Sequence, residues 1–255
     1  MGVILRIREV SKNFGGLQAL SGLDLEVNEK EIVGIIGPNG AGKTTFFNLI
    51  SGYLSPTKGR IIFNDRDITS LRPDEIAKKG LVRTFQGTSI LKNITVLENI
   101  IVAHQLLFRN GFWSSLFNTF AYRTEEKEVE RRSISILEYM GLAAVKDELA
   151  ENLPHGHQRA LGVAIAAAAD PKLLLLDEPA TGMNQMEIDG LMDSIRGLRE
   201  KGITLMIVEH DMRAIMGISD RIVVLDFGQK IAEGSPEEIQ RNEKVIKAYL
   251  GSEEE

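Results

Sequence analysis

The near-continuous apolar run Glu31–Ile36 passes directly into Gly37-Pro38-Asn39-Gly40-Ala41-Gly42-Lys43-Thr44-Thr45, a fit to G-x-x-x-x-G-K-[ST]. An apolar strand of this kind is buried on both faces, as in a parallel sheet. The glycines that follow let backbone N–H groups curl around an anion, and the helix expected from Lys43 through Ile50 adds its positive dipole end. The pattern therefore asks for a strand, a phosphate-cradling loop and a helix in that order. Lys43 would supply a point charge to the β- and γ-phosphates of a bound nucleotide, and the Thr44 hydroxyl would ligate Mg²⁺. Gly37, Asn39, Gly40, Ala41, Gly42 and Thr45 complete the cradle.

Further apolar strands are expected at Leu81–Phe85, Leu173–Leu176, Thr204–Val208 and Ile222–Leu225, with helical patterns between several of them. That alternation predicts a mostly parallel α/β sheet. Ile4–Val10 and Leu23–Val27 read as shorter strands about the Gly15–Gly16 turn and form an antiparallel β part. From about Thr95 to Ala150 there is only helical periodicity, read as a helical subdomain inserted between two strands. Its charged segment Arg123–Arg132 fits a solvated helix face with Glu–Lys and Glu–Arg neighbours. The expected division is residues 1–93 and 154–255 for the α/β core and 94–153 for the insert, with Glu253–Glu255 frayed.

Composition excludes several classes. The chain has 255 residues, 43% hydrophobic and 26% charged, an ordinary globular mixture. A net charge of −6 argues against a protein that coats nucleic acid. With no cysteine there is no disulfide, thiolate metal site or cysteine nucleophile. The apolar stretch Leu161–Ala169 is far short of the roughly 20 residues of a membrane-spanning helix. Arg6 and Arg8 interrupt any N-terminal signal-peptide core. A cytosolic protein is expected, held at a membrane only through another subunit.

The second half of the candidate site is Leu173-Leu-Leu-Leu-Asp177-Glu178, an apolar strand ending in two carboxylates. Ligands of such sheets sit beyond the C-terminal strand ends, so Asp177 would hold Mg²⁺, directly or through water. Glu178 would orient or deprotonate the attacking water. His210 follows the strand Thr204–Val208 and points to the same edge, where it could contact the γ-phosphate. Gln86 follows the strand at 81–85 and could reach Mg²⁺ or that water. Phe14 either stacks on adenine or is ordinary core.

This ordered set, together with Leu153-x-x-Gly156-x-Gln158-Arg159, resembles the ATP-binding cassette (ABC) ATPase family over essentially the whole chain. The resemblance implies a P-loop NTPase fold and a head-to-tail dimer sandwiching two ATP molecules. In each site the phosphate loop of one subunit meets the signature segment of the other. Within the family the chain is most similar to ATPase subunits of branched-chain amino acid importers. The features behind this are Glu209-His-Asp-Met-Arg213, Met216-Gly-Ile-Ser-Asp-Arg221, the insert after Ala103 and the ending Val245-Ile-Lys-Ala-Tyr-Leu-Gly251. Implied partners are membrane permease subunits, a second ABC ATPase subunit and, indirectly, a substrate-binding protein, at the cytoplasmic face of the membrane. A groove near Gln86–Leu91 would receive a short helix of the permease.

The signature departs from the family's usual L-S-G-G-Q, reading Leu153-Pro154-His155-Gly156-His157. The family serine offers a hydroxyl and an N–H toward the partner's γ-phosphate, and Pro154 has neither, although proline suits a first helical position. Gly156 keeps close backbone approach open. His155 and His157 are either substitute phosphate donors or residues without a role of their own, and a zinc site lacks a third ligand. The expectation is an asymmetric heterodimer with one competent and one weakened site, a homodimer being the alternative. Asn184 stands where the family often has an acid. Phe108, Phe112, Trp113, Phe117, Phe120 and Tyr122 are expected mostly to close a small core under the insert, with one or two rings left for docking. Competing functions are a soluble single-cassette assembly ATPase and an ATP-gated regulatory subunit.

Overall fold

A computed structural model describes residues 2–84, 90–105 and 120–250. Gln86 and Phe85, and the aromatic residues Phe108, Phe112, Trp113 and Phe117, lie outside them, as do the side chains of Phe120 and Tyr122. The described chain divides into two compact units, one of residues 1–83, 172–178 and 198–255 and the other of 84–171 and 179–197.

The first unit carries two sheets. β1 (Val3–Phe14) and β2 (Leu17–Asn28) form an antiparallel hairpin, extended by β4 (Lys58–Phe63) and β5 (Arg66–Asp67) in the order β2-β1-β4-β5. The hairpin closes at Gly15–Gly16, where Phe14 pairs with Leu17. Both strands run farther than expected, because Ser11–Phe14 and Leu17–Ala19 keep the ladder going with side chains that face solvent or lie only partly buried.

The second sheet has six strands in the order β10-β9-β3-β8-β7-β6. They are β3 (Ile32–Ile36), β6 (Leu81–Arg83), β7 (Leu173–Asp177), β8 (Thr204–Val208), β9 (Arg221–Asp226) and β10 (Gln229–Gly234). Every residue of β3, β7 and β8 is buried, as central parallel strands require. The exception to parallel pairing is β10, antiparallel to β9 at the edge. Helix α1 (Lys43–Ile50) buries Phe46, Phe47, Leu49 and Ile50. These join β1, β3, β7 and β9 residues in one apolar core. This unit also holds α2 (Pro73–Ala77), α7 (Met212–Ile218), α8 (Pro236–Gln240) and α9 (Glu243–Leu250), whereas α3 (Val96–Gln105), α4 (Phe120–Tyr139), α5 (His155–Ala168) and most of α6 (Gln185–Glu200) fall in the other.

The second unit is helical, as the middle of the sequence suggests. It takes in α5 as well, which the expected boundary at residue 154 assigned to the core, because α5 packs on α3 and α4. On α4, Glu128 pairs with Arg131 and Arg132 on an exposed face, as expected of the charged run.

Candidate nucleotide site

The loop between β3 and α1 turns within a few residues, and Gly37 makes that turn. Its φ is +152°, and a Cβ there would run into the Leu225 carbonyl oxygen on β9, so no other residue fits without moving the sheet. Gly42, at φ 100°, is the N-cap of α1 and provides no side-chain cap, which leaves the first N–H groups of the helix for a ligand.

Lys43 is buried, and its Nζ donates to the carbonyl oxygens of Gly37 and Pro38 at 2.6 and 2.9 Å. Burial lowers its pKa from the ordinary 10.5, and the charge of Glu178 offsets part of that. A phosphate oxygen is a stronger partner for this ammonium than two neutral carbonyls. The loop is therefore poised to exchange an internal contact for an anionic one.

Beside the loop lies a cavity of about 440 Å³, within the range of about 300–1,000 Å³ of small-molecule sites. It brings together most of the residues singled out in sequence: Asn39 to Thr45, Phe14, Glu178 and His210. The Thr44 side chain is exposed there. Phe14 is 45% exposed and lines the cavity, which removes the core alternative for its ring. The hairpin ends at Phe14, so the ring leaves the sheet instead of entering the layer beneath.

Glu178 follows directly on β7, and its N–H continues the ladder to Val208 of β8. Its φ of 49° is unusual for a side-chain-bearing residue and turns the chain sharply at the strand end. His210 Nε2 stands 2.7 Å from Glu178 Oε1. The Glu178 side chain is 14% exposed, against 50% for His210, so the imidazole forms the open wall and the carboxylate the inner one.

Asp177 is held differently. Its Oδ2 accepts from Arg83 Nη2 at 2.7 Å, with both side chains almost wholly buried. The same guanidinium donates to Asn48 Oδ1 on α1 and to Oγ of Ser51 at that helix's C-cap, and lies 5.7 Å from the Phe47 ring centroid. Arg83 thus ties β6, β7 and α1 together three residues before Gln86. Sequence reading missed it, because an arginine ending a three-residue strand gives no local sign of a partner 94 positions away. The one available hint was that a buried β7 carboxylate needs a cation.

In the second unit, Pro154 is the N-cap of α5, with φ −54° and ψ 152°, and gives no side-chain cap. The first helical residue is His155, so proline stands one position ahead of the one for which it was considered suitable. Gly156 is buried against α6, where a Cβ would come within 2.5 Å of Glu187 Oε1. That carboxylate accepts from the Asn184 N–H at 2.8 Å, and Asn184 Oδ1 accepts from the Glu187 N–H at 3.1 Å. The reciprocal pair caps α6 and assigns a structural task to Asn184. The exposed His155 ring lies about 3.0 Å from where a Cβ of Gly182 would stand. His157 has its Nδ1 buried without a hydrogen-bond partner among the described residues.

Fold and cavity define an α/β P-loop NTPase. Residues 20–181 match the family model described as ABC transporter, and residues 229–255 match the one described as branched-chain amino acid ATP-binding cassette transporter. The chain is 43% identical over 249 residues to the high-affinity branched-chain amino acid transport ATP-binding protein BraF of Pseudomonas aeruginosa, covering 97% of this chain and 98% of that protein. To the Escherichia coli protein LivG, which carries the same description, it is 41% identical with the same coverage. Among solved structures, the ADP conformation of an ATP-binding cassette of an ABC transporter superposes with a TM-score of 0.84 at 34% identity, covering 99% of this chain and all of that one. A nucleotide-free ATP-binding cassette gives a TM-score of 0.83 at 34% identity, covering 98% of this chain and 100% of that one. The chain belongs to the ABC transporter family.

Proposed function

We propose that this chain is the ATP-hydrolysing subunit of an ABC importer that energises uptake of branched-chain or related amino acids through a membrane permease. The observation that carries the hydrolytic part is the Glu178–His210 pair, 2.7 Å apart on the wall of the cavity that the phosphate loop builds. The substrate class rests on likeness to BraF and LivG and on the match at residues 229–255.

In this reading the loop N–H groups and Lys43 hold the β- and γ-phosphates, with Lys43 giving up its carbonyl contacts. Glu178 orients a water in line with the γ-phosphorus and accepts its proton. The water oxygen bonds to phosphorus as the bond to the bridging oxygen breaks, ADP departs, and the proton passes on to the released phosphate. His210 fixes Glu178 through Oε1 and faces the γ-phosphate from the open side. Mg²⁺, when bound, spreads the charge developing on the phosphate oxygens. The exposed Thr44 hydroxyl and the Asp177 carboxylate, with Gln86 expected beside them, would hold it. Since Arg83 already claims Asp177 Oδ2, an indirect hold through water suits Asp177 better than direct ligation.

The subunit would work as an ABC dimer at the cytoplasmic face of the membrane, bound to permease subunits. No helix among the described residues is long and apolar enough to cross a membrane, so attachment falls to those partners. Pro154 supports a heterodimer: the helix N-terminus of the signature carries no hydroxyl, and a second subunit would supply the better one. Glu178→Gln purified with and without Mg·ATP tests both parts. The variant should bind ATP without hydrolysing it and stay monomeric until the cognate second subunit is added. A mass that doubles with ATP alone would rule out the need for a heterodimer, and unimpaired hydrolysis would rule out Glu178 as the base.

A further inference from the structure

Phe227 is 86% exposed, more than any other large hydrophobic residue among those described. It occupies the tip of the β9–β10 hairpin, where Asp226 pairs with Gln229 around Phe227 and Gly228. Both tip residues are left-handed, with φ 42° and 75°. Turns of this kind take Asn-Gly or Asp-Gly most readily, because short polar residues and glycine tolerate positive φ. Phenylalanine therefore suits neither the backbone nor the solvent around it.

The tip is nonetheless held firmly. Gly228 N–H donates to Ala41 O of the phosphate loop at 3.1 Å, and Gly228 O accepts from Ser21 N–H at 2.9 Å. A Cβ on Gly228 would come within 2.5 Å of Ala19 O, so backbone meets backbone at that point. The ring is thus carried by a support pinned to the loop that receives the phosphates, and it lines the same cavity as Phe14 and Leu17. Leu17 is 69% exposed there. Lys12 Nζ lies 5.1 Å from the Phe14 ring centroid, so one face of that ring already meets a cation. A single half-covered aromatic is a thin platform for a flat heterocycle, and Phe227 offers a second.

We propose that Phe227 is a base-recognising residue of the nucleotide cavity, contributing with Phe14 an aromatic surface that selects a purine nucleotide over a bare polyphosphate. This rests on the reading of the cavity as an ATP site. Base–aromatic stacking lost by truncation is worth about 1–2 kcal/mol, or about 5- to 30-fold in affinity.

The test is calorimetric titration of wild type, Phe227→Ala and Phe227→Asn with ATP and with inorganic tripolyphosphate, alongside thermal melts. Phe227→Asn should melt higher than wild type, since asparagine relaxes the left-handed turn. It should still lose about 5- to 30-fold in ATP affinity, with tripolyphosphate affinity unchanged. Wild-type ATP affinity retained in both variants would overturn the role of Phe227 alone, and so would an equal loss for both ligands. Variants that bind ATP normally but fail to pair in the Glu178→Gln background would reassign the ring to a subunit contact and overturn it too. A wild type that binds neither ligand would bring down the nucleotide reading itself, and this inference with it.

Discussion

Two loop-to-helix transitions, at Gly42–Lys43 and at Pro154–His155, can be set side by side. Both helices start without a side-chain cap and without an acid in the first turn. Other helix starts are closed: Asp211 caps α7, Ser235 and Glu238 form a capping box on α8, and Asn184 and Glu187 do so on α6. An open N-terminus leaves N–H donors for a phosphate, and the family resemblance points to nucleotide at both of these openings. The difference lies in what surrounds each opening. At the phosphate loop, Lys43, Glu178, His210, Asp177 and Arg83 are linked to one another or to the loop itself. At the signature, proline replaces a hydroxyl donor and the glycine is packed beneath Glu187. One opening is thus well organised and the other is not.

The largest effect should follow from breaking the organised opening at its carboxylate. Replacing a general base lowers turnover about 10²- to 10⁴-fold, so Glu178→Gln should lose hydrolysis on that scale in a steady-state phosphate-release assay while ATP affinity persists. Next comes Arg83→Met, which takes the buried Asp177 carboxylate's cation away. Removing one partner of such a pair costs about 3–5 kcal/mol, read as a shift in denaturant midpoint. If the melt barely moves, Asp177 takes up another neighbour and Arg83 is not what holds it. The double change Arg83→Met with Asp177→Asn should recover part of the loss, because the buried carboxylate charge is then removed along with its cation.

How much of this was legible in sequence depended on the range of the interactions. The phosphate loop and the Leu173–Glu178 strand could be read because their determinants are contiguous, and the fully buried β3, β7 and β8 announced themselves as apolar runs. Edge strand β10, Gln229–Gly234, was missed, since it is mostly half-exposed and mixes Lys and Glu with two apolar residues. Arg83 acts through a partner 94 positions along the chain and resembles an ordinary surface residue locally. At Gly156 the sequence alone could not show that Glu187 of α6 stands where a Cβ would go.

One substitution applied to both openings sharpens the contrast. Gly37→Ala drives a methyl into the Leu225 carbonyl at a φ that alanine resists, with an expected loss of about 3 kcal/mol or more. Gly156→Ala meets only the movable end of Glu187. It should cost about 1 kcal/mol, the worth of the α6 cap it disturbs. Comparable losses would mean that the signature glycine is held as rigidly as the phosphate loop. Pro154→Ser should go the other way and stabilise α5 by about 0.5–1 kcal/mol by adding the missing cap. If the signature limits the dimer, the same change should raise ATPase activity of the assembled complex. Stability gained with no change in rate would mean that Pro154 does not limit it.

The smallest effect concerns acid, and it separates the two units by pH. On α3, His104 is 5% exposed, and burial, reinforced by Arg132 and opposed by Asp170, lowers its pKa from the ordinary 6.5. Below about 6.5 the unfolded chain takes up a proton that the folded one refuses, so stability falls as pH drops toward the lowered value. In the first unit, Glu31 is paired with Arg221 at 2.8 Å, and its hydrogen bonds to Arg221 and Asn28 outweigh burial to lower its pKa from 4.5. That stability is present above 4.5 and is lost only as pH falls through the lower folded value. Hydrogen exchange between pH 7.5 and 4 should therefore loosen peptides of 90–105 and 127–168 before those of 23–36 and 221–234. His104→Gln, which cannot titrate, should remove the earlier step and leave the later one. Simultaneous loosening in wild type would mean that the units unfold as one, and the acid response would then report their coupling and not His104.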